Sequence, residues 1–419
     1  MDSRTFKRRV LLPLLTLGIT LLAIELVLQA FAFLAPRYYE LLRGTIAVSV
    51  PDPRLGTLPN PAHPEHDERG FRNASIPSKV AIVGMGDSQT YGLGVRREAA
   101  WPQQLETLVR QPVYNVANPG WGPTQSLLLF DEVLALEPRL IIQAFYSGND
   151  FYDAYVTVYD AGQFPELRTT NPRDSSLIAA AGTPAALKSE LGEIQAAFRR
   201  PWARPAAGPP GVAGRTKRWL DEHLGVYQML RGLRNRVRAR FTRQSWGSER
   251  RFAEALGDRD VSQIVEEGDL KTILLPRYRW ALLNLDDPRI TEGFRIALEA
   301  LNLMKQQAKA ARTEFLVMLI PSKELVYRDA VLAQPDSVTR LYATLLENET
   351  LFRERTRAFL DAHGIRWLDV LAPLQDRLRS GPQPFPASSD GHPNTAGQRA
   401  IAEAAFAELQ RLGLLERRE

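Results

Sequence analysis

Short apolar segments alternate with helical segments over two stretches of this 419-residue chain, and this alternation limits its possible folds most strongly. The first stretch predicts strands over 80–83, 112–118 and 140–146 and helices over 101–110 and 125–136. The second predicts helices over 296–311, 350–363 and 395–412 and strands over 314–321 and 365–371. Such alternation is typical of a parallel sheet that is covered by helices on both faces.

The N-terminus combines a positively charged flank with an apolar run from about residue 10 to residue 34. The basic residues are Arg4, Lys7, Arg8 and Arg9. A run of this length can cross a ~30 Å hydrocarbon core. The flank predicts a cytoplasmic N-terminus and export of everything after residue 36. Two alternatives remain open, a signal peptide cleaved near Ala32 and a buried helix of a soluble protein. Because the apolar region of a signal peptide usually has about 7–15 residues, the length favours an uncleaved anchor.

The domain boundaries are predicted where the alternation stops. Residues 37–78 are rich in proline and have few periodic apolar positions, which predicts a connector. Residues 161–285 contain proline-rich and arginine-dense stretches, which predicts an insertion. We therefore predict a membrane anchor over 1–36, a connector over 37–78, one α/β domain made of 79–160 and 286–415, and an insertion over 161–285.

Composition excludes some classes of site and partner. The chain has no cysteine, which excludes disulfides, thiolate zinc sites and a cysteine nucleophile. The net charge is +5, and arginines are concentrated in segment 231–244. That segment is open to two interpretations, a nucleic-acid patch or a solvated helix face near anionic lipid. A charge run alone has little specificity and an exported chain meets little nucleic acid, so we expect no nucleic-acid partner.

Ser88 lies in the segment "GDSQT", directly after the first predicted strand. In parallel α/β sheets, sites form beyond the carboxyl ends of the strands, so this position suits a nucleophile. Gly84 and Gly86 permit tight backbone geometry before it. We assign the neighbouring Asp87 to structure, with its carboxylate bonded to N–H groups of the loop. Taken alone, Ser88 is better explained as a turn serine.

A serine nucleophile needs a base, and His392 is the best placed of the five histidines. It lies in a polar loop before the last predicted helix, two residues after Asp390. A carboxylate at this distance can orient the imidazole, as in a Ser-His-Asp triad. The alternative is a loop that only caps the helix, with Asn394 or Thr395 as N-cap. The remaining histidines lie in the connector, the insertion and a helix end (His63, His66, His223 and His363).

Together these segments resemble the SGNH (GDSL-like) hydrolase superfamily over roughly residues 70–160 and 285–415. "GDSQT" matches the first block of that superfamily, with Ser88 as nucleophile. "SGND" resembles the third block, with Asn149 as an oxyanion-hole donor, and "DGHPN" resembles the last block, with Asp390 and His392. The resemblance implies a flavodoxin-like three-layer α/β/α sandwich around a central parallel sheet.

The chain departs from the superfamily pattern at two places. In "NVANPGWG", Ala117 stands where the glycine of the second block falls, so the oxyanion N–H is assigned either to Ala117 or to Gly120, beside the N–H of Ser88. Asp390 and His392 are separated by one residue rather than two. That spacing, "IPSKELVY", the "GFRN" lead-in and the anchor are similar to a membrane-anchored branch of alginate-acetyltransferase-like proteins.

The resemblance implies an exported, single-pass serine esterase or O-acyltransferase of the cytoplasmic (inner) membrane, with its catalytic domain on the periplasmic or extracellular side. Its expected substrate is an acyl ester of a cell-envelope or extracellular glycan. The alternative is a non-catalytic envelope scaffold, or a polysaccharide-binding protein, on the same fold. A nucleotide- or phosphopantetheine-binding protein is a weaker alternative, because the chain lacks a P-loop. We expect no cofactor or metal, since nothing fixes the geometry of the candidate ligands His66, Asp67 and Glu68.

Overall fold

The computed structural model describes most of the chain and separates into two compact units. The described part excludes residues 1–11, 36–37, 40–45, 200–215, 217–218, 221–222, 232, 234–245, 335–337 and 416–419. The smaller unit contains Met1–Val48, Ala62–Pro64 and Ala203–Gln244, and the larger unit contains Ser49–Pro61, Glu65–Trp202 and Ser245–Glu419. The positively charged N-terminal flank and most of the arginine-dense segment lie outside the described residues.

The larger unit is built on five parallel strands. In chain order, the described strands are β1 (Ser49–Asp52), β2 (Gly56–Pro59), β3 (Ile82–Gly86), β4 (Val113–Ala117), β5 (Leu140–Tyr146), β6 (Gln263–Glu267), β7 (Leu270–Leu274), β8 (Glu314–Ile320) and β9 (Arg366–Asp369). The main sheet has the order β4-β3-β5-β8-β9, and β1-β2 and β6-β7 are antiparallel pairs. Numbered along the chain, this is the doubly wound 2-1-3-4-5 order of flavodoxin-like folds. The fold class expected from the sequence is therefore confirmed.

Helices cover the sheet in two sets. The described helices are α1 (Leu12–Leu34), α2 (Ser88–Tyr91), α3 (Trp101–Val109), α4 (Pro123–Leu128), α5 (Phe130–Leu134), α6 (Asp150–Tyr159), α7 (Pro172–Ala181), α8 (Pro184–Arg199), α9 (Trp246–Leu256), α10 (Pro276–Leu282), α11 (Pro288–Ala310), α12 (Lys323–Val326), α13 (Arg328–Leu332), α14 (Arg340–Ala362), α15 (Leu371–Ser380) and α16 (Thr395–Arg411). Helix α16 packs with α3 and α15, while α11 packs with α4 and α6. Strands β3, β4 and β5 are buried along their whole length, which explains their continuous apolar sequence.

Several helix boundaries differ from the sequence prediction. Helices α11 and α14 begin earlier than the predicted residues 296 and 350, because the side chains of Asp287 and Thr339 cap their first turns. The prediction followed the apolar period, which starts only after these caps. The helix predicted over 125–136 is interrupted at Leu129 and forms the two short helices α4 and α5.

In the smaller unit, helix α1 is the one helix of the described residues that is long and apolar enough to cross a membrane. It has 23 residues and a mean hydropathy of 2.2, and a signal sequence meets the same criteria of length and composition. Glu25 is buried within this unit. Its carboxylate accepts hydrogen bonds from Gly225 N at 2.8 Å and Val226 N at 2.9 Å. The carboxylate thus satisfies two backbone donors at the start of a second helical segment.

Candidate active site

Ser88 begins helix α2 at the carboxyl end of β3, where a very tight turn separates strand from helix. Gly86 has a φ of +153°, and a Cβ at this position would lie 2.4 Å from Thr90 Oγ1. Only glycine therefore allows the strand to end this close to the helix. Asp87 is the N-cap of α2, and its Oδ1 accepts a hydrogen bond from Gln89 N at 2.9 Å. The structural assignment of Asp87 from the sequence is thus confirmed.

The structure brings Ser88, His392 and Asp390 together in one chain of hydrogen bonds. Ser88 Oγ lies 2.9 Å from His392 Nε2, and His392 Nδ1 lies 2.6 Å from Asp390 Oδ1. The carboxylate can only accept, so Nδ1–H donates to Asp390 and Nε2 is free to accept the Ser88 hydroxyl proton. Asn394 also caps α16 through Ala396 N and Gly397 N. The loop therefore does both: it caps helix α16, and it places Asp390 and His392 in the chain of hydrogen bonds to Ser88.

The charges around this chain of hydrogen bonds keep Asp390 ionised. Burial raises the pKa of Asp390, but the hydrogen bonds and charge of His392 and the charge of Lys323 outweigh it. The resulting pKa lies below the ordinary value of the group. Asp390 is thus a carboxylate at neutral pH and can stabilise a protonated His392.

Asp87 is a second carboxyl group near Ser88, but it competes poorly for the hydroxyl. Ser88 Oγ lies 3.4 Å from Asp87 Oδ2, compared with 2.9 Å from His392 Nε2. Burial raises the pKa of Asp87 to about 6, although the Gln89 N–H and the His392 charge lower it. The shorter distance indicates that the hydroxyl proton of Ser88 is directed at His392.

Asn149 lies at the carboxyl end of β5, as N-cap of α6. Its Nδ2 donates one hydrogen bond to Asp153 Oδ2. Burial raises the pKa of Asp153 to about 8, while this hydrogen bond lowers it and the charge of Asp87 raises it. Within the described residues, the second hydrogen of Nδ2 has no acceptor, so Asn149 retains one donor for a ligand.

Ala117 and Gly120 are the two candidates for the oxyanion-hole N–H of the second block, and their N–H groups differ in direction. Asn118 N donates to Gly86 O, and the register pairs Gly86 with Ala117. Since alternate residues of a strand bond to the same neighbour, the N–H of Ala117 points away from β3. Asn115, two residues earlier, shows this direction, because its N–H donates to Asn73 Oδ1 beyond the sheet edge at 2.9 Å.

Gly120 instead lies in a turn beyond the strand end. Trp121 N donates to Asn118 O at 3.2 Å, Pro119 precedes Gly120, and Gly120 has a φ of +84°. This combination matches a type II turn, which requires glycine at this position. Gly120 is exposed, and in the described part of the chain its N–H has no acceptor. Its N–H is therefore available to a ligand, whereas an N–H that bonds to a neighbouring strand is not.

The hairpin β1–β2, in the predicted connector, holds this turn through hydrogen bonds. Ser49 Oγ donates to Asn118 Oδ1 at 2.6 Å, and Asn118 Nδ2 donates to Thr57 Oγ1 at 2.9 Å. The indole Nε1 of Trp121 donates to Thr57 O at 2.8 Å. The hairpin β1–β2 thus fixes the residues on both sides of Gly120.

Two buried arginines support the site, and sequence reasoning did not identify their roles. Arg72, in the "GFRN" lead-in, donates to Tyr91 O at 3.0 Å and to Gly92 O at 2.6 Å, which satisfies carbonyls at the end of α2. Arg279, within the predicted insertion, donates to Gly148 O next to Asn149. The lead-in is visible in the sequence as the segment "GFRN", whereas no pattern in the sequence marks Arg279.

Two of the three candidate metal ligands of the lead-in, His66 and Asp67, have other partners. His66 Nε2 lies 2.8 Å from the hydroxyl of Tyr91 in α2, and Asp67 Oδ1 accepts from Arg69 N and Phe71 N. Among the described residues, no group of three or more His, Cys, Asp or Glu side chains is placed to hold a metal ion. These side chains order the segment behind α2.

Comparison with solved structures gives neighbours of low similarity. TesA is 12% identical, with 79% of this chain and 99% of that chain covered and a TM-score of 0.33. A GDSL-like lipase from Bacteroides thetaiotaomicron VPI-5482 is 10% identical, with coverages of 79% and 88% and a TM-score of 0.31. LAE5, an alpha/beta hydrolase enzyme from the metagenome of Lake Arreo, Spain, is 12% identical, with coverages of 82% and 99% and a TM-score of 0.34.

No protein-family model and no curated protein matches the chain. Likeness to solved structures at this level carries no information about substrate or activity.

Proposed function

We propose that this chain is a membrane-anchored serine esterase or O-acyltransferase that acts on acyl esters of a cell-envelope or extracellular glycan. The observation that carries the proposal is the chain of hydrogen bonds from Asp390 through His392 to Ser88, with distances of 2.6 and 2.9 Å. A serine, an imidazole and a carboxylate in this order are the groups that acyl transfer through a covalent intermediate requires.

In the first half-reaction, His392 Nε2 accepts the proton of Ser88 Oγ, and Oγ attacks the ester carbonyl. Asp390 holds the imidazole in the correct tautomer and stabilises its positive charge. Collapse of the tetrahedral intermediate breaks the bond to the leaving alcohol, which takes its proton from His392. The product of this half-reaction is an acyl group on Ser88.

The negative charge of the tetrahedral intermediate needs hydrogen-bond donors. We assign this role to the N–H of Ser88, the N–H of Gly120 and the side-chain amide of Asn149. Gly120 is preferred to Ala117 because the Ala117 N–H points away from β3, whereas Ser88 follows β3 directly. Loss of one such donor typically costs ~10²–10³ in rate.

In the second half-reaction, His392 removes a proton from an acceptor hydroxyl, which attacks the acyl carbonyl on Ser88. Collapse of this second tetrahedral intermediate breaks the bond to Ser88 Oγ, which takes the proton back from His392. Water as the acceptor gives an esterase, and a glycan hydroxyl gives an O-acyltransferase. Both outcomes use the same residues, so the proposal includes both. The acceptor decides between them, and an assay has to supply it.

The proposed location is the cytoplasmic membrane, with helix α1 as a single-pass anchor. A helix of 23 residues is about 35 Å long, which exceeds a ~30 Å hydrocarbon core. The basic residues before the helix favour retention of the N-terminus in the cytoplasm. Everything after the helix then lies on the periplasmic or extracellular side, where glycan esters are found.

The direct test is hydrolysis of 4-nitrophenyl acetate by the full-length chain in detergent, compared with Ser88→Ala. We expect nitrophenol release that falls to background in the variant, because the hydroxyl that forms the covalent intermediate is absent. A parallel incubation with acetylated and unacetylated glycan measures transfer by mass spectrometry. Exposed Ser176→Ala on α7 is the matched control and should keep the wild-type rate.

Equal rates for the wild type and Ser88→Ala would contradict the proposal. Binding of an acidic polysaccharide without any Ser88-dependent turnover would then favour the non-catalytic scaffold.

A further inference from the structure

The loop from Ser388 to His392, here called the acid–base loop, carries both Asp390 and His392 but contains no helix or strand. Neighbouring elements hold its backbone groups. Ser388 O accepts a hydrogen bond from Ile273 N of β7 at 3.3 Å, and Ser389 N donates to Glu249 Oε2 of α9 at 2.6 Å. The position of the acid and the base therefore depends on contacts from outside the loop.

Lys323 holds the same loop from a third direction. It is the first residue of α12, just beyond the carboxyl end of β8, and it is only 1% exposed. Its Nζ donates to Ser388 O at 2.7 Å and to Asp390 O at 2.9 Å. The ammonium thus spans the backbone on either side of Ser389, directly at the proposed catalytic carboxylate.

The burial of Lys323 needs a reason, because an ammonium group is costly to remove from water. Among the described residues, no carboxylate lies within salt-bridge distance of its Nζ. The direct partners of the charge are the two carbonyls of the acid–base loop. An apolar side chain would fill the same space at a lower free-energy cost of desolvation. The benefit of the lysine therefore lies in its hydrogen bonds to the two loop carbonyls.

We propose that Lys323 is a positioning residue of this site, whose ammonium holds the acid–base loop so that His392 stays within hydrogen-bond distance of Ser88. The proposal rests on the proposed function of Ser88, Asp390 and His392. Hydrogen bonds from a charged donor are roughly twice as strong as those between neutral groups. Loss of the charge therefore loosens the loop even where the side chain remains.

The charge on Lys323 is sensitive to pH within a range that an assay can reach. Burial lowers the pKa of Lys323 to about 8, against the carboxylates of Glu324, Asp390 and Glu249, which raise it, and the guanidinium of Arg279, which lowers it further. These are the charged groups that face the ammonium from α12, the acid–base loop, α9 and α10. As pH rises through about 8, the ammonium becomes neutral and its two hydrogen bonds weaken.

The test compares the wild type, Lys323→Met and Lys323→Arg in the full-length chain, with 4-nitrophenyl acetate from pH 6 to pH 10 and the Ser88→Ala rate subtracted. In the wild type we expect kcat to fall severalfold through a step near pH 8. In Lys323→Met we expect kcat to be lower by ~10- to 10²-fold at pH 7, with little change in KM. Its step near pH 8 should be smaller than that of the wild type, and what remains is assigned to Asp153, whose pKa burial raises to about 8. Lys323→Arg keeps its charge throughout this range, so it should recover part of kcat and show the same smaller step.

Exposed Lys309→Met on α11 is the matched control and should keep both the wild-type rate and the step. Absence of a step near pH 8 in the wild type would overturn the proposal, and this measurement does not depend on the folding of any variant. A well-folded Lys323→Met with the wild-type rate and profile would overturn it as well. Absence of any Ser88-dependent turnover would instead contradict the proposed function itself.

Discussion

Asp87 is a carboxyl group that the fold buries almost completely, directly beside Ser88. Two further carboxyl groups, buried Asp150 and half-buried Asp153, lie near enough for the charge of Asp87 to raise their pKa values, in addition to the larger effect of desolvation. Like charges in a poorly solvated region cannot all ionise at low cost. The site therefore holds protons at a pH where exposed carboxyl groups have lost them.

This burial predicts a pH dependence of stability. The pKa of Asp87 is raised from 3.8 to about 6, so the folded state binds more protons than the unfolded state between these values, and the free energy of unfolding falls as pH rises through this window. The loss is about 3 kcal/mol at 1.36 kcal/mol per pH unit. Asp87→Asn cannot ionise but keeps an oxygen for Gln89 N. We expect its Tm to match the wild type near pH 4 and to exceed it by several degrees at pH 7.

Differential scanning calorimetry of both proteins over this pH range measures the effect. Exposed Asp131→Asn on α5 is the control and should follow the wild type at each pH. A difference in Tm between Asp87→Asn and the wild type that does not change with pH would contradict the prediction.

At the residue scale, the sequence predicts where the candidate site residues lie better than it predicts their surroundings. Ser88, Asn149 and His392 follow strands or precede a helix, and these positions are visible in local patterns. Lys323 also follows an apolar strand, at the sheet edge where sites form, and that signal was available. Its acceptors were not predictable, because no local pattern states which distant carbonyl a side chain will reach.

The hairpin β1–β2 shows what a connector can do at the scale of secondary structure. The sequence predicted only a proline-rich linker here, because strands of four residues leave too few positions to show a period. The structure places the hairpin against the turn that carries Gly120, with Asn118 between Ser49 and Thr57. A segment outside the main sheet thus fixes a proposed oxyanion donor.

Asn118→Ala removes the side-chain hydrogen bonds that join the hairpin β1–β2 to this turn. The half-buried hydroxyls of Ser49 and Thr57 lose this partner, and the loss of a hydrogen bond typically costs about 0.5–1.5 kcal/mol. We expect a lower Tm and a kcat that falls more than KM changes, because the proposed donor at Gly120 would act mainly in the transition state. Thermal unfolding and steady-state kinetics of the variant test both effects.

Val50→Ala alters the same hairpin at an exposed side chain, and it should leave kcat unchanged. If Asn118→Ala keeps the kcat of the wild type and only its Tm is lower, the hydrogen bonds of Asn118 contribute to stability alone.

At the scale of the whole molecule, the parallel sheet was predictable because most of its strands are largely apolar segments that alternate with helical segments. The division of the chain was harder to predict. Residues 161–202 and 245–285 of the predicted insertion belong to the same compact unit as the sheet, and only 203–244 fall in the other unit. Contacts such as Arg279 with Gly148 join segments that are far apart in sequence, so no local composition reveals them.

Retention of helix α1 is a prediction about the whole molecule. The full-length chain, expressed in bacteria, should remain in the membrane fraction after carbonate extraction, because a predominantly apolar helix of 23 residues inserts stably. Its mass should include the N-terminus, and protease added to spheroplasts should digest the part after residue 36. A product that begins near residue 33 would indicate a cleaved signal, and complete protection from protease would contradict the orientation.

Ser88 and His392 are 304 positions apart, and the segment with the base is near the end of the chain. A growing chain therefore contains its proposed nucleophile long before its proposed base. Under the proposed function, Ser88 has no base until the loop that carries His392 has packed against the sheet. The proposed acyl transfer would then begin only after helix α16 has folded, so an unfinished chain would be inactive.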